Sequence, residues 1–296
     1  MNVSIRALHP VIGGEVAGVD LRRPMSRDEV AAIEAGMDRY AVLVFRDQQI
    51  TDEQHVAFTL NFGALEETVT GHIHKRHERR LGDQFADVSN LGKDNKPLAR
   101  DDRARMFNLG NRLWHSDSSF KPVPAKYSLL SGRIVPPPGN GGNTEFADMR
   151  AAYDALDDAT KAQVADLVCE HSLIYSRGML GFTELSEEER VTFRPVRQRL
   201  VRTHPVTGRQ SLYLSSHAGT IVGWPMPEAR AFLRELIEHA TQRPFVYAHE
   251  WRQGDLVMWD NRQTMHRVRP FDDQKYVRDV RRTTVAGEAT TVAQVA

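Results

Sequence analysis

The amino-acid sequence predicts a mainly β fold with flanking helices, a sandwich or jelly roll. Three observations carry this. Two helix-opening capping boxes stand near the start, and the second half consists of short alternating apolar runs separated by Gly and Pro turns. No repeat, low-complexity tract or linker divides the chain. With 296 residues, 41% hydrophobic and 26% charged, the chain has apolar content for a sizeable core, and one domain over 1–296 is expected.

The elements follow in order. Ser26-Arg27-Asp28-Glu29 has the form of a capping box, and Val30, Ile33 and Met37 follow at helical spacing, which predicts a helix to about Arg39. Residues 40–45 are a buried strand. Thr51-Asp52-Glu53-Gln54 opens a second helix, with Val56, Phe58 and Leu60 inside it and Phe62-Gly63 at its end. From 66 to 110 the chain is polar and aperiodic apart from a short strand candidate near 86–89; an irregular insert of this length is expected to be a mobile substrate loop. Pro136-Pro137-Pro138-Gly139-Asn140-Gly141-Gly142 is a turn that no helix or central strand tolerates. It introduces a short strand at 143–146. Asp148 then caps a helix over 150–156, and further helices are expected over 158–168 and 227–241, the last presenting Phe232, Leu236, Ile237 and Ala240 on one side. Strand candidates are 127–130, 200–203, 211–214, 245–251, 255–259 and 278–285, and the tail after 287 is expected to fray.

Charge and cysteine usage narrow the function. The 39 basic and 39 acidic residues give a net charge of +0, so no general field attracts nucleic acid or an anionic membrane. The expected partner is a small molecule, with any anion held by local Arg or Lys groups. A single cysteine, Cys169, excludes an intrachain disulfide framework and a thiolate metal cluster; it reads as a small core residue in a protein of a reducing compartment, the cytoplasm. No apolar run approaches the length of a membrane span or forms a secretory leader.

The chemistry is concentrated in two distant blocks. In an extended segment, side chains two apart point the same way, so in Trp114-His115-Ser116-Asp117 the imidazole and the carboxylate can share a metal while Ser116 faces away. Alone, an H-x-D is equally a hydrogen-bonded pair. Paired with Trp259-Asp260-Asn261-Arg262-Gln263-Thr264-Met265-His266, it becomes a candidate two-His-one-carboxylate site, which suits a non-haem Fe(II) with positions left open for a chelating cosubstrate and dioxygen. Asp260 and Asn261 read as turn formers rather than ligands, with a bond that orients the metal site left open for either. If 278–285 is a strand, Arg278, Val280 and Arg282 share a face, and two inward guanidiniums would each call for an anion. An exposed basic edge strand would serve as well, and the spacing does not choose. His72, His74 and His77 in the polar insert read either as a solvated surface or as a lid over the substrate.

The segments WHSDSSF at 114–120, GGNTEFADMRAAYDAL at 141–156, VRTHPVTGRQSLYL at 201–214, GDLVMWDNRQTMH at 254–266 and RDVRRTT at 278–284 resemble the taurine dioxygenase family (TauD/TfdA) of Fe(II)/2-oxoglutarate-dependent oxygenases. The likeness spans about residues 6–287, and the openings at 21–48 and 50–66 resemble its 2,4-dichlorophenoxyacetate (aryloxyalkanoate) dioxygenase branch. The resemblance implies a double-stranded β-helix with His115, Asp117 and His266 as iron ligands. It implies that Thr144 and Arg278 hold the distal carboxylate of 2-oxoglutarate, that Asn111 lies beside this cosubstrate, and that Arg282 binds the acidic group of a small carboxylic acid substrate. Where the taurine enzymes carry substrate-binding residues, the dissimilar TVTGHIHKRHERR stretch leaves His72 and His74 as candidates. The implied reaction hydroxylates the α-carbon of an aryloxyalkanoate and releases a phenol and glyoxylate, with succinate and carbon dioxide from the cosubstrate; a homo-oligomer is expected. An alkylsulfonate or alkyl sulfate dioxygenase, and a non-catalytic metal-binding β-sandwich, are the alternatives.

Overall fold

A computed structural model describes residues 3–67 and 79–294. In chain order the strands are β1 (Ser4–Ala7), β2 (Gly14–Ala17), β3 (Val42–Phe45), β4 (Ala86–Asp87), β5 (Tyr127–Ile134), β6 (Thr144–Asp148), β7 (Val168–His171), β8 (Val196–Arg199), β9 (Val201–Thr203), β10 (Gln210–Leu212), β11 (Ala218–Ile221), β12 (Val246–His249), β13 (Leu256–Asp260), β14 (Thr264–Val268) and β15 (Asp279–Val285). The α-helices are α1 (Arg27–Tyr40), α2 (Asp52–Thr59), α3 (Arg103–Asn108), α4 (Met149–Asp154), α5 (Asp158–Val164), α6 (Leu173–Gly178), α7 (Glu187–Thr192) and α8 (Met226–Ala240). None of the described helices is long and apolar enough to cross a membrane.

A major sheet runs β1-β2-β3-β13-β5-β15-β4, and a smaller one runs β12-β6-β14. Side-chain alternation assigns each strand's residues to a layer. Leu43, Phe45, Leu129, Leu256, Met258 and Val285 point out of the major sheet onto Ile33 and Met37 of α1 and Phe58 of α2. The alternate residues Val42, Val44, Leu130, Val257, Trp259 and Val280 point inward and meet Phe146 of the small sheet. On that sheet's far side, Ala147 and Met265 pack against Leu233 and Leu236 of α8. The result is helix, sheet, interior, sheet, helix, as a jelly roll requires.

Both capping boxes form: Ser26 with Glu29, and Thr51 with Gln54. The buried face of α8 is Ala229, Leu233, Leu236 and Ala240, rotated from the stripe the sequence suggested. Other expectations need correction. The helix predicted over 158–168 stops at Val164, because Val168 and Cys169 pair with Arg199 and Gln198 of β8. The insert from 66 to 110 holds the expected short strand, β4, but also an unforeseen helix, α3, whose first turn is capped by the Asp102 carboxylate accepting from Ala104 and Arg105 amides. Strands β1, β2, β8 and β11 lay in segments without clear alternation. Beyond Gly287 the chain is tied to β8, where the amides of Arg197 and Arg199 donate to Gln294 and Thr291 side chains. His72, His74 and His77 lie outside the described residues.

Candidate active site

The inward parity of five strands builds the site. His266 is an inward position of β14, and the segment carrying His115 forms a bridge with it: each backbone amide donates to the other's carbonyl, at 3.0 and 2.8 Å. Two residues on, Asp117 points the same way, whereas Ser116 turns outward and donates to the Thr264 carbonyl at 2.8 Å. Donor atoms of His115, Asp117 and His266 all lie within 4.8 Å of one another, and all three residues are buried. The H-x-D…His reading is thereby realised in space.

Each ligand is held in its own way. The Nδ1–H of His115 donates to the Leu113 carbonyl at 2.8 Å, which leaves Nε2 unprotonated, its lone pair free for a metal, 3.8 Å from Asp117. His266 has no such bond at Nδ1 among the described residues; its ring is gripped by packing, 4.7 Å from Trp259 and stacked at 6.0 Å on Phe146. Asp117 Oδ2 accepts from Ser128 at 2.7 Å, and Oδ1 accepts from Arg282. Asn261, read as a turn former, accepts from the Asp117 amide at 3.2 Å and donates to Ser128 at 2.9 Å. Asp260 is no ligand. It is buried in a network with Arg262, Gln263 and His204.

Protonation states suit a metal. Burial pushes the Asp117 carboxyl up, but the Arg282 guanidinium outweighs it, with help from the Ser128 hydroxyl, and the group is held at about 2. Burial pulls both imidazoles below their ordinary value, so they are neutral at pH 7. Two neutral imidazoles and an ionised carboxylate are the donor set of a ferrous oxygenase, so the residues fit the group.

The predicted cosubstrate residues converge on Trp251. Its indole N–H donates to Thr144 Oγ1 at 2.9 Å, and its ring lies 5.9 Å from the Arg278 guanidinium. Arg278 precedes β15, is 3% exposed and donates through Nε to the Gly142 carbonyl at 3.3 Å. Burial alone shifts its pKa, down to about 10, with no carboxylate paired to it among the described residues. The Gly-rich turn that carries the Gly142 carbonyl is itself seated closely on Pro270: at Gly141, φ is +80° and a Cβ would overlap the Pro270 carbonyl. Asn111 lines both the cleft at Arg278 and the cavity at the triad. That cavity, about 80 Å³, is walled by Phe107, Phe120 and Phe193 and by His217, Arg177 and Arg282. Sequence reasoning passed over Ser128, Trp251, His217 and Arg177. A polar residue at an inward position of an apolar strand could have flagged Ser128; α6 and the segment before β11 gave no periodic signal.

The sequence matches the Taurine catabolism dioxygenase TauD, TfdA family over residues 4–284. The chain belongs to this family. Among its relatives is the alpha-ketoglutarate-dependent 2,4-dichlorophenoxyacetate dioxygenase of Cupriavidus pinatubonensis, 45% identical over 98% of this chain and 99% of the relative. The (S)-phenoxypropionate/alpha-ketoglutarate-dioxygenase of Delftia acidovorans is 38% identical over 88% of this chain and 87% of the relative. The crystal structure of AAD-2 in complex with Mn(II) and N-oxalylglycine superposes with a TM-score of 0.96 at 62% identity, covering 99% of this chain and 100% of that one. The TauD, TfdA assignment makes the protein a dioxygenase, and the non-catalytic alternative falls with it.

Proposed function

We propose that the protein is an Fe(II)- and 2-oxoglutarate-dependent dioxygenase that hydroxylates the α-carbon of aryloxyalkanoic acids such as 2,4-dichlorophenoxyacetate, in the cytoplasm. The observation that carries this reading is a buried His115/Asp117/His266 triad, of which His115 and Asp117 line a small cavity walled by aromatic rings and guanidinium groups. Aromatic walls suit an aryl ring, and guanidinium suits its acid. The relatives named for 2,4-dichlorophenoxyacetate and phenoxypropionate support the same class.

His115, Asp117 and His266 would hold the iron. Thr144 and Arg278 would take the distal carboxylate of 2-oxoglutarate, with Asn111 alongside. Because Thr144 Oγ1 already accepts from Trp251, its hydroxyl proton is left to donate to that carboxylate. When bound, iron, dioxygen and 2-oxoglutarate supply the oxidising chemistry: one oxygen atom ends in succinate, released with carbon dioxide, and the other is inserted into a substrate C–H bond. The protein selects that bond by position. Arg282 would pin the substrate acid so that the α-carbon lies nearest the triad. The α-hydroxylated product is a hemiacetal; its hydroxyl proton passes to the ether oxygen as that C–O bond breaks, giving a phenol and glyoxylate.

An aerobic panel of aryloxyacetates, phenoxypropionates, alkylsulfonates and alkyl sulfates, read for succinate, phenol, sulfite and sulfate, tests this. Phenol release matched to succinate is expected; sulfite or sulfate without phenol would overturn the substrate class. Arg278→Ala is expected to raise the 2-oxoglutarate requirement and Arg282→Ala to weaken substrate use, each by about 2–5 kcal/mol for a desolvated charge pair.

A further inference from the structure

Arg177, on α6, carries a buried charge that the reading above does not use. It is 5% exposed, and its guanidinium carbon lies 4.3 Å from the centroid of the Phe107 ring. The other side is closed by Gly110, where any Cβ would overlap the guanidinium. One of its N–H groups donates to Ser176 Oγ at 3.1 Å, and Nε has no partner among the described residues. No carboxylate pairs with it among the described residues, and burial alone draws its pKa down to about 10, so it remains a cation at neutral pH. A fixed, dehydrated guanidinium without a counter-charge is an incomplete ion pair.

Arg278 has the same signature: an aromatic ring nearby, a neutral oxygen on one N–H, no carboxylate, and burial as the cause of its shifted pKa. The same device therefore occurs twice around one triad, in a cleft and a cavity that share Asn111. The reaction has two anionic reactants. Arg278 matches one of them. Arg282, the other residue with a claim on the second, commits one N–H to Asp117 and has only part of its fork left, with Nε unpartnered among the described residues.

Resting on the proposed aryloxyalkanoate chemistry, we infer that Arg177 is a second anchor for the substrate carboxylate, closing with Arg282 a two-armed clamp over the triad. A carboxylate held by one guanidinium on each oxygen cannot spin about its C–C axis. The α-hydrogens then keep a fixed aspect towards the triad, while the ring is left to Phe107, Phe120 and Phe193. Arg177 is thus a specificity-determining residue for acids over neutral analogues.

The test titrates 2,4-dichlorophenoxyacetate and its primary amide, by calorimetry, into the enzyme loaded with Mn(II) and 2-oxoglutarate. The wild type should prefer the acid. Arg177→Gln should lower acid affinity about 30-fold or more, as for loss of one arm of a desolvated ion pair, and leave amide and 2-oxoglutarate affinities unchanged. Arg177→Lys, which keeps the charge without the planar fork, should still prefer the acid while binding it more weakly. Full acid affinity in Arg177→Gln would overturn the clamp. Equal losses of acid and amide in Arg177→Lys would do so too, even if the glutamine variant failed to fold, since they would mark a packing role. A wild type that consumes 2-oxoglutarate yet binds neither aryloxy ligand would instead overturn the substrate class, and the clamp with it.

Discussion

Ser128 shows how much of the site depends on single hydroxyl and amide groups. Its Oγ donates to Asp117 Oδ2 and accepts from Asn261 Nδ2, while Asn261 Oδ1 accepts from the backbone amide of Asp117 itself. The loop of three hydrogen bonds fixes the carboxylate against its own main chain, so its rotamer is set before any metal arrives. Ser128→Ala would free one carboxylate oxygen and strand the Asn261 N–H groups in the interior. Metal affinity should fall about 10–100-fold, the usual effect of removing a group that orients a ligand. A Mn(II) titration checks this, and unchanged affinity would remove Ser128 from the site. At this scale the sequence was legible for ligands and opaque for their supports. A His and an Asp two apart announce a shared direction, whereas the spacing of Arg278 and Arg282 left an inward anion clamp and an exposed basic edge strand equally open. Whether Asn261 only makes a turn or also holds Asp117 depends on β5 lying beside β13, which local sequence does not encode.

Among the elements, those with a chemical start signal were the readable ones. In α1, Glu29 occupies both halves of a capping box and also takes Arg23, so its carboxyl is held at about 2, first by the Arg23 guanidinium and then by Ser26. The folded value lies below the 4.5 of the unfolded chain. The stabilisation is therefore complete above about 4.5 and is lost as pH falls through about 2. Glu29→Gln keeps a hydrogen-bonding amide at the third position but has no proton to take up. It should be less stable than wild type at pH 7, with the gap closing as the pH falls through that window; a gap independent of pH in thermal melts would show that the charge on Glu29 contributes nothing. Some elements without such signals were still found, as β5, β13 and β15 were by their alternation, but others were misjudged. The helical spacing of 158–168 was overruled at Val164 because β8 offers pairing partners to Val168 and Cys169, and tertiary context outweighs weak local propensity. In β15 the parity argument survived a register irregularity between Asp279 and Val280: Val280 and Arg282 face inward, while Arg281 turns out to Asp52.

At the scale of the whole molecule, the three metal ligands tie together parts of the chain that share little else. His266 belongs to the small sheet, whereas Asp117 is bonded to Ser128 and Arg282 of the major sheet, and the His115 bridge to His266 joins the segment between them. The alternation of β5, β13 and β15 could be read from sequence, but not which strands lie across the interior, because parity is local and the pairing of β13 with β3 and β5 spans most of the chain. A metal held by these side chains is therefore a cross-link between the two layers, present in the folded state and absent from the unfolded one. Binding at a concentration about 100 times Kd adds about 2.7 kcal/mol to stability. For a chain of this size that corresponds to a rise in Tm of about 5 °C. Mn(II) with 2-oxoglutarate should raise the Tm of the wild type by about that much, a chelator should reverse it, and His266→Ala should abolish the increment while leaving the metal-free Tm within a few degrees. An increment that persisted in His266→Ala would mean that the ion stabilises the protein somewhere other than between its two sheets.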